Sequence, residues 1–154
     1  MYSAYTHHVT KPLDMTANEN CVCFKVRRAS RALSQFMAAE LDHHGLLPTQ
    51  ATILGILFYM PGARMAEVGA GLGIDRTTLV RNLRPLEREG LVNTSGRNRR
   101  GQVALRLTPK GEETLSNLIP DWREAQRKIV TTLGAARWAE ILSDLERAAQ
   151  ALEH

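Results

Sequence analysis

Cysteine is scarce in these 154 residues. Cys21 and Cys23 are the only two, which is too few for a disulfide framework. Long apolar runs are missing as well. The first twenty residues, MYSAYTHHVTKPLDMTANEN, contain no apolar core of the kind a signal peptide carries, and the longest apolar run, ATILGILFYM, is too short to span a bilayer. The expectation is a cytoplasmic protein with free thiols and no membrane partner. Hallmarks of catalysis are also lacking: there is no Gly-rich phosphate loop, no nucleophile elbow and no paired set of metal histidines. Joining Cys21 and Cys23 to His7, His8, His43 or His44 yields none of the compact zinc spacings. The sequence therefore predicts no enzyme activity, no cofactor and no metal.

What is present is enough apolar material for a core, 44% of the chain, and a charge distribution that is far from even. Over residues 75–110 nine Lys or Arg stand against three acids, a net +6. The remaining 11 basic and 13 acidic residues give −2. A basic third on a near-neutral remainder is the electrostatic footprint of a polyanion site, because cationic side chains on phosphates release counterions. A solvated charged face is the competing explanation of such a run.

The stretch GIDRTTLVRNLRPLEREGLV, residues 73–92, lies in this segment. Leu79, Leu83 and Leu86 recur at steps of four and three, the spacing of one helical face. Asp75 is a suitable N-cap, and Gly90 suits the left-handed residue that ends helices. The other face carries Arg76, Thr77, Thr78, Arg81, Asn82, Arg84 and Arg88, nearly all hydrogen-bond donors. Pro85 interrupts this helix at a cost of about 3 kcal/mol if it lies in the interior. A kink there would either separate a groove-entering half from a half that packs under the following segment, or be tolerated with no role in binding.

Around this helix the chain is mostly α-helical with one β-hairpin. A first helix is expected from about 16 or 20 to 44, with Val22, Val26, Ala29, Leu33, Phe36 and Leu41 on one stripe and Gly45 as its stop. Further helices are expected at 49–60, ended by Pro61-Gly62, and at 65–71. The pair 65–71 and 76–89 at a tight turn is the helix-turn-helix arrangement. LVNTSGRNRRGQVALRLT then predicts a hairpin, with Val103, Leu105 and Leu107 alternating inward and Arg97, Arg99 and Arg100 at its tip. A hairpin beside a reading helix is a wing, and arginines on a narrow projection suit a minor groove. Thr108 and Pro109 start a long helix, and a last one over 135–152 repeats Trp138, Ile141, Leu142, Leu145, Ala149 and Leu152.

The motifs IDRTTLVRNL, LEREGLV, GRNRRGQVALRLTPKG and the upstream LLPTQATILGIL, together covering about 46–111, resemble the multiple antibiotic resistance regulator (MarR) family of bacterial transcription factors. The resemblance implies a mainly α winged helix-turn-helix fold: one domain over 1–154, a DNA-binding lobe at 46–110, and dimerisation helices at 16–45 and 111–152. It implies a homodimer on double-stranded DNA, acting as a repressor, with Arg76, Thr77, Thr78, Arg81, Asn82 and Arg84 on the reading helix and Arg97, Arg99 and Arg100 on the wing. A dimeric protein-interaction module that does not read DNA is the alternative. The sequence departs from the family where the wing usually carries an acid two places before its inserted arginine: here Asn98 precedes Arg100. CVCF also resembles the first-helix start of the family's organic hydroperoxide sensors, which makes Cys21 and Cys23 candidate redox residues. Arg27 and Met37 stand where those sensors place tyrosines. Buried or inert thiols are the alternative. An aromatic or carboxylate effector is the other regulatory expectation, with Phe36, His43, His44, Tyr59 and Trp122 as candidates by position.

Overall fold

Among the described residues, six α-helices and two short strands follow one another in the order α1 (Val22–Glu40), α2 (Pro48–Tyr59), α3 (Met65–Leu72), α4 (Arg76–Arg88), β1 (Val92–Asn93), β2 (Arg106–Leu107), α5 (Pro109–Leu133) and α6 (Ala135–Leu152). The structure, a computed structural model, describes residues 21–94, 96, 101 and 103–152. Arg97, Asn98, Arg99 and Arg100 of the expected wing tip lie outside the described residues, as do 16–20 of the expected first helix. No helix among the described residues is long and apolar enough to cross a membrane.

The described residues form two units, one ending at Phe36 and the other beginning at Met37. The first consists of most of α1. Val22, Phe24 and Val26 are exposed on it, so the start of the expected apolar stripe faces solvent here. The helix also stops earlier than the spacing predicts. It ends at Glu40, and Asp42–His44 continue as a 3-10 turn. His44 N–H bonds Leu41 O and Gly45 N–H bonds Asp42 O, both at 3.0 Å, the i→i+3 closure that tightens a helix end. Gly45 then turns left-handed at φ 66 and releases the chain toward α2.

The second unit is built around α2. Its sequence PTQATILGILFY is apolar on nearly every side; Ala51, Ile53, Leu54 and Leu57 are buried, while Phe58 and Tyr59 are exposed. Pro48 sits in its first turn, and Gln50, the buried polar residue of this core, accepts from Leu47 N–H at 2.9 Å through Oε1. Ile53, Leu54 and Leu57 of α2 pack with Val68 of α3, Leu79, Leu83 and Leu86 of α4, and Leu91, Val92, Leu105 and Leu115. α4 thus contributes the leucine face its spacing predicts.

The hairpin pairs Val92 with Leu107 and Asn93 with Arg106, antiparallel. The expected inward alternation of Val103, Leu105 and Leu107 fails at its first member. Val103 is exposed, while Ala104 and Leu105 are both fully buried. The chain changes partners at this point. Ala104 N–H bonds Gly96 O across the hairpin, whereas Leu105 bonds the segment between α2 and α3, with Leu105 N–H on Ala63 O and Gly62 N–H on Leu105 O, all at 2.9 Å. Two successive residues held by different neighbours cannot keep a period of two.

The end of α4 and the start of α5 are locked together. Leu91 N–H closes back on Leu86 O at 2.8 Å after the left-handed Gly90. Thr108 caps α5 by accepting from Gly111 N–H at 3.0 Å, while its own hydroxyl donates to Gly90 O at 2.6 Å and its N–H to Leu91 O at 3.0 Å. Lys110 Nζ donates to Glu89 O at 2.8 Å. The contact is so close that a Cβ on Gly111 would stand 2.1 Å from Leu91 O. Backbone, unlike a flexible side-chain tip, cannot step aside. Gly111→Ala is therefore expected to lower stability by about 1–3 kcal/mol, as overpacking does. A urea midpoint unchanged from the parent would show that the junction tolerates a methyl group.

Candidate nucleic-acid interface

Sterics at the helix-turn-helix set the direction of α4. The chain leaves α3 through left-handed Gly73 (φ 62), and Ile74 N–H bonds Gly69 O at 3.1 Å. A side chain on Gly69 would meet Ile74 O at 3.2 Å, so glycine there permits the tight turn. Asp75 then caps α4, accepting Thr78 N–H on Oδ1 and the Thr78 hydroxyl on Oδ2, each at 2.8 Å. These bonds, the backbone one foremost, hold the Asp75 carboxyl below its ordinary range.

The helix continues through Pro85 to Arg88, burying Leu79, Leu83 and Leu86. Its opposite face exposes Arg76, Thr77, Arg81 and Arg84, while Thr78 and Asn82 are half-buried. Arg76, Arg81 and Arg84 form no ion pair among the described residues, whereas Arg88 lies 3.7 Å from Glu89. Two of the polar residues are already partly committed. The Thr78 hydroxyl hydrogen is given to Asp75, leaving its oxygen lone pairs and its methyl to meet a ligand. Asn82 Nδ2 donates to Thr78 O at 2.9 Å, leaving one amide hydrogen and the amide oxygen.

Beside this face lies a basic concavity of about 530 Å³ between α3, α4 and the base of the hairpin. Arg64, Arg76 and Arg84 line it, with Val80, Leu83 and Met65 beneath and Glu87 and Thr94 toward the hairpin. The Thr94 hydroxyl donates to Glu87, tying the hairpin base to α4. Arg64 is an addition to the residues expected from sequence. It precedes α3, its N–H donates to Glu67 at 2.7 Å and its guanidinium to the same carboxylate, which holds Glu67 below its ordinary range. Nothing in the local sequence shows that it faces α4. The wing arginines Arg97, Arg99 and Arg100 belong to the same expectation but lie outside the described residues.

The candidate effector residues separate into different places. Tyr59 and Trp122 line an apolar cavity of about 430 Å³ between α2 and α5, together with Gly55, Phe58, Ile119 and Arg123. His43 and His44 are not among its lining residues. Both reach instead to Asp121 on α5, which they hold below its ordinary range, His44 contributing most. Asp121 escaped the sequence reading because 77 residues separate it from His44. Phe36 is half-buried on α1 in the other unit. Of the two thiols, Cys23 is exposed and Cys21 half-buried, and both are free.

Comparison with known proteins agrees with this geometry. Residues 44–101 match the MarR family. The HTH-type transcriptional regulator TtmR of Methylorubrum extorquens (strain PA1) is 32% identical over 99 residues, 64% of this chain and 51% of that protein, so the match spans about half the length of that relative. The crystal structure of the M. tuberculosis transcriptional regulator MosR is 33% identical, with a TM-score of 0.77 over 88% of this chain and 99% of that one. In its complex with DNA, MosR superposes with a TM-score of 0.73 at the same identity, covering 87% and 99% of the two chains. The repressor CouR bound to p-coumaroyl-CoA is 26% identical, with a TM-score of 0.77 over 93% of this chain and 100% of that one.

The Asp75 cap generates a pH test. A carboxyl whose folded pKa is depressed adds stability above its unfolded pKa of about 3.9 and loses it as pH falls through the folded value. Asp75→Ala should therefore be less stable than the parent near neutrality, and the gap should close below about pH 4. Unfolding curves whose separation is the same at neutral and acid pH would remove the carboxylate from this role.

Proposed function

This chain belongs to the MarR family, and we propose that it is a cytoplasmic transcriptional regulator that binds duplex DNA as a homodimer and represses the genes it controls. The observation that carries this reading is the division of α4. Its leucine face is fully engaged in the core, while Arg76, Arg81 and Arg84 stand exposed and without ion pairs among the described residues, on a rod capped at both ends. A helix of that kind can enter a major groove, where a guanidinium can bond a guanine edge and an amide an adenine. Arg76, Arg81 and Asn82 are assigned base edges, and Thr77 and Thr78 a phosphate or a thymine methyl. Arg84, farther along the rod, is assigned phosphate. Arg97, Arg99 and Arg100 are assigned to the neighbouring minor groove. The MosR–DNA complex supports this use of the fold.

The dimer is supported by what the monomer leaves uncovered. α6 buries no residue, yet Leu142, Leu145 and Leu152 are large, apolar and exposed, as are Val22 and Val26 on α1. A second copy would cover such surfaces and set two α4 helices about 34 Å apart, one turn of B-DNA, on a pseudo-palindromic site. Control by a small effector is supported by the apolar α2–α5 cavity. Its wall of Phe58, Tyr59 and Trp122 suits a ring, and Arg123 at its lining suits an anionic group. That CouR has been solved with p-coumaroyl-CoA bound is consistent with this route.

Binding to a random-sequence duplex should weaken steeply with salt, and Arg84→Ala and Arg100→Ala should each reduce the slope of log K against log salt by about 1. Arg81→Ala should cost about 1–3 kcal/mol on a selected site and relax its sequence preference. Protein that keeps its native circular dichroism yet ignores duplexes in dilute buffer would instead be the interaction module.

A further inference from the structure

Away from the basic face, one cluster of ligand-type side chains joins the 3-10 turn before α2 to the middle of α5. His43 Nε2 and His44 Nε2 each lie 2.9 Å from the same atom, Asp121 Oδ2. One donor atom from each residue falls within 4.8 Å of the other two. Adjacent residues on an α-helix or strand diverge, but on this tight turn the two imidazoles lie with centroids 4.2 Å apart and planes inclined by 39°. The His44 side chain is 14% exposed and therefore held in place, whereas that of His43 is 62% exposed and leaves an entry path.

Two histidines aimed through their remote nitrogens at one carboxylate oxygen form more than a brace. Ligand atoms about 2.0–2.2 Å from a tetrahedral ion stand roughly 3.3 Å from each other. The observed 2.9 Å spacings reach that figure if the side chains spread by a few tenths of an ångström. We propose that His43, His44 and Asp121 form a mononuclear site for a divalent first-row transition metal, bound through His43 Nε2, His44 Nε2 and an Asp121 oxygen, with solvent completing the coordination. Two imidazoles and one carboxylate favour ions of the zinc, cobalt and nickel group over calcium or magnesium, which take oxygen ligands. A ring that coordinates through Nε2 carries its proton on Nδ1, so metal binding replaces the two histidine–Asp121 hydrogen bonds with two N–metal bonds and needs no redox partner. The filled site would clamp the turn that leads into α2 onto the helix that starts at the hairpin.

Titration of the metal-free full-length chain with Co²⁺ tests this. The expected result is one Co²⁺ per chain with visible ligand-field bands and no sulfur-to-metal charge-transfer band. Affinity should fall at least about ten-fold in His44→Gln and Asp121→Asn, and be retained in the double variant Cys21→Ser, Cys23→Ser. His43→Gln alters an exposed side chain and should lose affinity to a similar extent with its circular dichroism intact, which decides the matter if His44→Gln fails to fold. No uptake by the parent chain, parent-like uptake by His43→Gln, or loss of uptake in the cysteine variant would each overturn the assignment.

Discussion

Among the described glycines, Gly111 leaves the least room for a side chain: the carbonyl oxygen of Leu91, just past α4, lies where its Cβ would have to be. Much else is arranged around this contact. Because Gly111 admits the carbonyl, Thr108 can bond both Gly90 and Leu91 while it caps α5, and Lys110 can reach Glu89. Three successive main-chain carbonyls just past α4 are thereby bonded by the entrance of α5. The long helix that follows is fixed relative to α4 by main-chain atoms rather than by side-chain packing alone.

The other end of α4 is fixed by a different device with the same effect. Gly73 supplies the left-handed turn, Gly69 the room for it, and Asp75 the cap. A rod held at both ends presents its outer face without having to order itself on contact, so a ligand meets donors already in place. The half-engaged Thr78 and Asn82 add detail to that face. They have kept some of their hydrogen-bonding capacity for the helix itself, so the unencumbered arginines are the stronger outward-facing groups.

Legibility in the sequence followed the range of the forces involved. Periodic burial and capping are local, so α4 with its Asp75 cap and Gly90 stop, α5 with Thr108 and Pro109, and α6 could all be placed from spacing and end signals. The end of α1 could not: apolar spacing runs on through Leu41 toward the Gly45 stop, but i→i+3 bonds replace the α-helix over Asp42–His44 before that glycine is reached. Val103 was misjudged for a related reason: alternation assumes one partner, and Leu105 takes its second from Ala63, some forty residues upstream. Arg64 and Asp121 were invisible altogether, since their significance arises from neighbours distant in the chain. The donor-rich outer face of α4 was therefore apparent early, and its surroundings were not.

The bond from Gly62 to Leu105, with its reciprocal from Leu105 to Ala63, has a bearing on how the protein behaves at high concentration. A bare two-stranded ribbon offers free amide and carbonyl groups along each side, a template on which a strand from another molecule can assemble. Here a piece of the chain's own connecting loop occupies that position beside the root of the ribbon. That flank, at the root of the ribbon, is thereby closed to fibrous self-association.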